Sequence, residues 1–263
     1  MGNCDGKYFQ RRIIMFFDII ASGSKGNATL VFSHNTIILI DLGITLKRLK
    51  EELTKFNKTT NDIDALLVTH DHADHYRGVK DISPKKQYAL TGTLPSLANE
   101  VELFKPFYIN NVKITPFMTS HDATNPCGYM LEDEDSKLVY MTDTGKYLSI
   151  NTQYIKNPDY LIIESNHDIR LLLLTNRPAE LKDRIMSDYG HLCNEDSAFA
   201  ALEIIGDKTK EIVLAHISEE ANTPEIAIKG YTNIFKRAHV NLNKFKLRCA
   251  NQWEPLIGGD YED

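Results

Sequence analysis

The sequence predicts an α/β protein in which β-sheets pack against one another with helices on the outside. Three observations carry that expectation. Short apolar runs rich in Ile, Val and Phe recur along the chain, and helical patterns fall between and after them. The first half is strand-rich with paired, hairpin-like runs, whereas the second alternates strand and helix. At 263 residues, with 42% hydrophobic and 25% charged content, the chain can bury a sizeable core and has the composition of an ordinary globular protein.

Residues 1–14 read as an N-terminal extension, open to being flexible, and 15–263 as one domain, because no repeat, Gly/Ser linker or low-complexity segment interrupts the chain. In "RRIIMFFDIIASGS" two arginines precede an apolar run and small residues follow, which imitates a secretory leader. Asp18 breaks that run at its middle, so the segment reads as a first strand, Phe16 to Ala21, entering a loop. The start Met-Gly-Asn-Cys hints at myristoylation, but Gly6 stands where Ser or Thr is needed. Further strands are expected at Ala28 to Phe32, Thr36 to Ile40, Ala65 to Thr69, Val112 to Phe117, Lys137 to Met141, Tyr160 to Ile163 and Ile212 to Ala215. Helices are expected at Leu46 to Phe56, Asn194 to Ile205 and Pro224 to Ala238.

Cys4, Cys127, Cys193 and Cys249 are scattered without a CxxC pair, which argues against a disulfide framework or a thiolate zinc site and fits a reducing cytoplasm with no membrane association. A net charge of −6 offers no global attraction to nucleic acid. It leaves a nucleic-acid enzyme open, because bound cations can supply positive potential locally.

The segment "VTHDHADHYRGV", residues 68–79, places His70, Asp71, His72, Asp74 and His75 within six positions. Packed as core, these groups would desolvate or repel one another. His70 and His72 are one residue apart, so in an extended segment both imidazoles face the same side and can grip one ion. Asp74 and His75 follow a turn and can face a second. Imidazole and carboxylate suit zinc, manganese or iron rather than magnesium or calcium alone. No apolar stripe accompanies the cluster, so it reads as a loop at the end of a strand, with Asp71 left without a ligand's role. Two ions need more ligands, and His121 in "FMTSHDATNPCGY", Asp143 in "VYMTDTG" and His216 in "IVLAHIS" each stand at a strand end.

Taken in order, "IDLG", "VTHDHADH", "SHDATNPCGY", "MTDTG" and "LAHIS" resemble the metallo-β-lactamase superfamily, which implies a four-layer αββα sandwich. The strings "ASGSKGNATL", "IESNHD" and "GHLCNEDSA" resemble its YycJ/WalJ group of metal-dependent exonucleases, and the likeness runs from about Ile13 to beyond Asn222. It implies one metal on His70, His72 and His121, a second on Asp74, His75 and His216, and Asp143 bridging both. Asp41 would support the metal loop without touching metal. The implied cofactors are two divalent ions, Zn2+ or Mn2+, with Fe2+ also fitting. The implied activity is a DNA exonuclease working 5′ to 3′, in which a metal-bound hydroxide attacks phosphate and Asp74 and His191 are catalytic. Two divalent ions bring more positive charge than Asp74 and Asp143 remove, which suits an anionic substrate.

His191, in "YGHLCNEDSAFAAL", is the candidate general acid. Asn194 can cap the following helix, and Ala198, Leu202 and Ile205 give that helix a buried face. His191 thus lies just ahead of a helix N-terminus, a place that resembles the catalytic histidine of tRNase Z-type phosphodiesterases; the bland alternative is a hydrogen bond within its own turn. Ser24 and Lys25 in "SGSKGN" could meet substrate phosphate or form a simple tight turn. Asn166 and His167 could orient substrate, and Asp168 could cap a helix beginning near Arg170. Cys193 is not needed as a nucleophile where a metal centre serves that role. The basic run "FKRAHVNLNKFKLR" reads first as a solvated helix face and second as a track for a nucleic-acid backbone. His34 and His239 receive no role.

Nucleic acid is thus the expected partner, DNA before RNA. An RNA-processing enzyme of the tRNase Z type would carry a Gly/Pro-rich arm that the sequence lacks, and the short span from Asp143 to His191 has no room for an inserted β-CASP domain. A hydrolase of esters, thioesters or lactams shares HxHxDH, but attack on an acyl carbon does not require "GHLCNEDSA". A metal-stabilised binding module would not require an open dinuclear centre.

Overall fold

The computed structural model describes residues 15–95 and 99–261; the expected N-terminal extension, residues 1–14, lies outside them. The strands run in chain order β1 (Phe16–Ala21), β2 (Ala28–Ser33), β3 (Thr36–Ile40), β4 (Ala65–Leu67), β5 (Gln87–Leu90), β6 (Asn99–Val101) and β7 (Phe107–Ile109). They continue as β8 (Val112–Met118), β9 (Cys127–Glu132), β10 (Lys137–Met141), β11 (Tyr160–Glu164), β12 (Glu211–Ala215), β13 (Lys246–Cys249) and β14 (Leu256–Gly259). The helices are α1 (Leu46–Lys55), α2 (Ala73–Tyr76), α3 (Thr152–Ile155), α4 (Ile169–Leu174), α5 (Ala179–Met186), α6 (Asn194–Ile204) and α7 (Pro224–Arg237). One sheet has the order β14-β1-β2-β3-β4-β5-β6 and the other β13-β12-β11-β10-β9-β8-β7.

Alternation along the strands explains the layering. On β1 and β3, Phe17, Ile19, Ile38 and Ile40 meet Ile114, Tyr129, Leu138, Ile162 and Val213 of the second sheet in a central core. Their neighbours Ile20, Ile37 and Leu39 point the other way and pack under Leu49 and Leu53 of α1. Leu161, Ile163, Ile212 and Leu214 likewise turn outward, onto Ala198 and Ala201 of α6 and Tyr231 and Phe235 of α7. The result is the expected four-layer αββα sandwich. With both faces of the central strands covered, their sequences are near-continuous apolar runs.

The expected strands at Phe16–Ala21, Thr36–Ile40 and Lys137–Met141 stand as read. The fourth ends at Leu67 instead of Thr69, because the Thr69 N–H leaves the ladder to bond Asp41 Oδ1 at 2.8 Å. The three expected helices each end one residue early, with Phe56, Ile205 and Ala238 serving as C-caps. Strands β5, β6, β7, β9, β13 and β14 have no counterpart in the sequence reading. Three-residue edges such as β6 and β7 carry too little pattern, and β9 opens with Cys-Gly because a Cβ on Gly128 would lie 2.4 Å from the Phe117 ring.

β3 and β4 pair in parallel, as do β10 with β11, β11 with β12, and β12 with β13. Parallel strands deliver their C-terminal ends to one side, and that is where the loops bearing polar groups converge.

Candidate metal centre

Two corrections to the sequence reading fall in this region. Residues 70–75 are not all loop, since Asp74 and His75 stand on the single turn α2, closed by the His75 and Tyr76 N–H groups on His72 O at 2.9 and 3.2 Å. One turn needs no apolar stripe, so the missing stripe was no argument against it. Likewise Cys193, not Asn194, caps α6: its sulfur accepts from Asp196 N at 3.4 Å. Asn194 is drawn inward, its Oδ1 accepting from Ser165 Oγ at 2.7 Å and from Asn222 Nδ2 at 2.8 Å.

The ligand atoms of His70, His72 and His121 lie within 4.8 Å of one another, as do those of Asp74, His75 and His216. Asp143 stands between the two sets: its carboxylate is 3.3 Å from His75 Nε2, 3.5 Å from His216 Nδ1 and 3.9 Å from His121 Nε2. The site is mostly sealed, with His70, His75, His121, Asp143 and His216 all buried.

Each of four histidines has one ring nitrogen tied to an oxygen, which turns the other nitrogen inward. His75 Nδ1 meets Asp41 Oδ2 at 2.8 Å, and His121 Nδ1 meets Gly190 O at 3.0 Å. His216 Nδ1 meets Glu164 Oε1 at 2.9 Å. His70 Nδ1 meets Thr69 Oγ1 at 2.9 Å, and that hydroxyl donates onward to Asp41. Asp41 thus holds Thr69 and His75 of the histidine-rich segment from a strand end. His70 Nε2, His216 Nε2 and Asp143 Oδ2 are buried without a hydrogen-bond partner. Orphaned acceptors converging with carboxylates are what a cation would satisfy, so these residues fit a divalent metal.

The loops that carry this constellation are held under strain. Asp41, Asp143 and His216, each just beyond a strand, have φ of 57°, 54° and 54°. Left-handed backbone is costly for such residues and persists where the surroundings fix it. Gly43 provides the tightest approach: a Cβ there would lie 1.6 Å from Asp74 O. Asn27 completes the clamp, its N–H donating to Asp74 O at 2.8 Å and its Nδ2 lying 2.9 Å from His75 Nε2.

Electrostatics follow from the crowding. Burial, reinforced by His75, holds His70 well below the ordinary histidine range, so its imidazole is neutral. Burial also disfavours charge on His75 and His216, yet Asp143 and Asp41 raise the first well above its usual value, and Asp143 and Glu164 bring the second to about 9. The carboxylates thus favour positive charge at His75 and His216, a role that a bound divalent cation would take over.

Glu164 is the functional candidate that the sequence reading overlooked. It ends the apolar strand β11 and is fully buried, and it accepts from His191 Nδ1 at 2.8 Å, His216 Nδ1 at 2.9 Å, Thr144 N at 3.0 Å and Leu192 N at 3.1 Å. Burial would raise its carboxyl, but His191 foremost, and then His216, hold it down at about 2. A carboxylate can only accept, so His191 Nδ1 carries the proton of that bond and Nε2 remains for other chemistry. The signal available in sequence was a lone acid at the end of "YLIIE", in the same strand-end position as the histidines.

The other expected residues are placed less centrally. Asn166 Nδ2 donates to His216 O at 2.9 Å, so it braces the loop that carries His216. His167 is buried beside Cys193 in an isolated bridge, its pKa pushed down to about 4 by desolvation. Ser24 is exposed, and Lys25 Nζ pairs with Glu219 at 2.5 Å. Asp168 caps α4 by accepting from Leu171 N at 3.0 Å, as expected. Asp71 accepts from Thr124 N at 3.0 Å.

A profile of the beta-lactamase superfamily domain matches residues 36–217, a span that holds every one of these candidate ligands. Exodeoxyribonuclease WalJ of Streptococcus pneumoniae is 33% identical over 242 residues, covering 86% of this chain and 90% of its own. The chain belongs to the metallo-β-lactamase superfamily, in the WalJ/YycJ group. Exodeoxyribonuclease YycJ of Bacillus anthracis is also 33% identical, over 84% of this chain and 89% of its own. Among solved structures, the metallo-β-lactamase fold protein YhfI from Bacillus subtilis superposes with a TM-score of 0.69 at 16% identity, covering 93% of this chain and 99% of that one, which speaks for the fold alone. As a metallo-β-lactamase-fold hydrolase with clustered histidines and aspartates, this WalJ/YycJ-group chain is built to bind divalent metal.

Proposed function

We propose that this protein is a metal-dependent exonuclease acting on DNA, with a centre for two divalent ions. One ion would be held by His70, His72 and His121 and the other by Asp74, His75 and His216, with Asp143 shared between them. Zn2+, Mn2+ and Fe2+ all suit this donor set. Bound divalent ions supply Lewis-acid polarisation of a phosphodiester and lower the pKa of water. The observation that carries the choice of substrate is the likeness to exodeoxyribonucleases along nearly the whole length of both chains.

The protein's own groups do the rest. His191 is part-exposed, its side chain keeping 17% of its surface accessible beside the centre, and Glu164 orients it through Nδ1. Protonated, it donates from Nε2 to the leaving oxygen, while the Glu164 carboxylate stabilises the imidazolium that precedes that step. Asp74 acts as a ligand whose position, fixed through Asn27 and Gly43, determines where the phosphate can sit. Ser24 and Lys25 meet substrate at the rim, and Asn166 and His167 act from behind the ligands. Free Cys127, Cys193 and Cys249 fit a reducing compartment, and we place the protein in the cytoplasm. Among the described residues no helix is long and apolar enough to cross a membrane.

The test is incubation of protein loaded with Zn2+, Mn2+ or Fe2+ with end-labelled single- and double-stranded DNA, a precursor tRNA and a thioester. DNA should be shortened progressively from its 5′ end, and chelation should abolish this. His191→Ala should keep its metal content and slow cleavage by about 10² to 10⁴. Thioester turnover with no cleavage of nucleic acid would refute the proposal.

A further inference from the structure

Beside the loop of residues 22–27 stands an aromatic residue for which the chemistry above has no use. Trp253, the single tryptophan of the chain, keeps 59% of its surface exposed in the turn after β13. Its surroundings are organised. Indole Nε1 donates to Glu219 Oε1 at 2.9 Å, the Lys25 ammonium lies 5.1 Å from the ring centroid, and the Arg48 guanidinium 6.0 Å from it. Arg48 also donates to Trp253 O at 2.9 Å and to Ile20 O at 2.6 Å, which anchors the turn to the end of β1.

That turn is tied to the metal loops by short links. Gln252 Nε2 donates to Gly26 O at 2.9 Å, and its Oε1 accepts from Lys25 N at 2.9 Å. The same loop, residues 22–27, accepts His216 N on Ser22 Oγ at 2.7 Å and supplies the Asn27 clamp on Asp74. Glu219, which orients the indole, follows the ligand His216 by three residues. An indole that is largely exposed, with two cations over its ring, is thus held one hydrogen-bonded loop away from His216 and Asp74.

We propose that Trp253 is a stacking platform for a nucleobase of the substrate strand beyond the scissile linkage, with Lys25 meeting a neighbouring phosphate and Arg48 holding the turn in place. The proposal rests on the nuclease reading above and names how that site holds its substrate. Every base offers a π-face, so stacking is tolerant of sequence, which an exonuclease that must accept each successive nucleotide requires. Glu219 keeps the indole N–H satisfied and Lys25 paired while no strand is bound. When a phosphate arrives, it competes with Glu219 for the Lys25 ammonium. Binding should accordingly weaken with salt.

The experiment uses the full-length, metal-loaded protein. With single-stranded DNA, Trp253→Ala should raise KM about 5- to 150-fold, the range expected for one stacked base, with kcat within about twofold of wild type. Trp253→Phe should restore most of the loss. Hydrolysis of bis(p-nitrophenyl) phosphate, which has no strand beyond its scissile linkage, should be unchanged in both variants, which reports an intact centre. Because the chain has one tryptophan, its emission reports stacking directly. An oligonucleotide with non-hydrolysable linkages should quench it, and the abasic counterpart should not. Unchanged KM for Trp253→Ala, or equal quenching by the abasic strand, overturns the platform while leaving the nuclease reading intact. A wild-type protein that hydrolyses the small diester but cuts no DNA or RNA strand overturns both.

Discussion

Replacing Glu164 by Gln tests the link between the buried acid and His191, the proposed general acid. Glu164 Oε1 accepts from the Nδ1 atoms of His191 and His216, and Oε2 accepts from the N–H groups of Thr144 and Leu192. An amide keeps the shape but turns one of these oxygens into a donor, so in either orientation two buried donors face a third. At about 1–3 kcal/mol for each buried group left unsatisfied, the folded state should lose about 2–6 kcal/mol. If the amide turns its nitrogen toward the histidines, His191 loses the acceptor that fixes its tautomer, and cleavage should fall by about 10² to 10⁴. The pH dependence has a definite sign. The folded carboxyl is held at about 2 against an ordinary 4.5, so its stabilising contribution is complete above pH 4.5 and is lost as pH falls toward 2. Urea unfolding of metal-free Glu164→Gln should therefore show its full deficit at pH 7 and a shrinking one below pH 4.5. DNA cleavage at matched metal content gives the second readout. Wild-type stability at pH 7 together with wild-type turnover would refute the reasoning.

Two further perturbations probe the frame of the site. Gly43→Ala would set a Cβ 1.6 Å from Asp74 O, so the turn bearing Asp74 and His75 must shift, and metal bound per protein, measured by atomic emission, should fall sharply. Retention of full metal content would contradict the clamp assigned to Gly43. Asp18 is fully buried on β1, and its carboxyl is raised to about 7 by desolvation and by Glu52. A raised acid binds more protons folded than unfolded, so it costs stability as pH rises from about 4 to 7. Asp18→Asn should raise the unfolding midpoint at pH 8 and have little effect at pH 4, and an equal shift at both would exclude this cause.

The cluster of candidate ligands was legible in the sequence because its signal is local. HxHxDH declares itself by spacing, and His121, Asp143 and His216 by standing where an apolar strand stops. The central strands were legible for a related reason: burial on both faces leaves unbroken apolar runs such as "TIILI" and "EIVLA". Edge strands of three residues carry no comparable pattern, and α2 is a single turn whose side chains are spent on polar contacts.

What only the tertiary structure decided is which atoms face which. Glu164 looks in sequence like the polar end of β11, yet it receives His191 from 27 residues away and His216 from 52. Asn194 has the composition of a helix cap but is claimed by Ser165 and Asn222, leaving the cap to Cys193. Trp253 belongs to no motif and gains its setting from Lys25 and Arg48, which reach it across more than two hundred positions of the chain. By itself the sequence determined which chemical groups are present and which strand ends carry them, because spacing and hydrophobic pattern act over a few residues. His70 leans on its neighbour Thr69, but His75, His121 and His216 are each aimed by an oxygen from a segment distant in sequence, which strand pairing and loop packing bring into place.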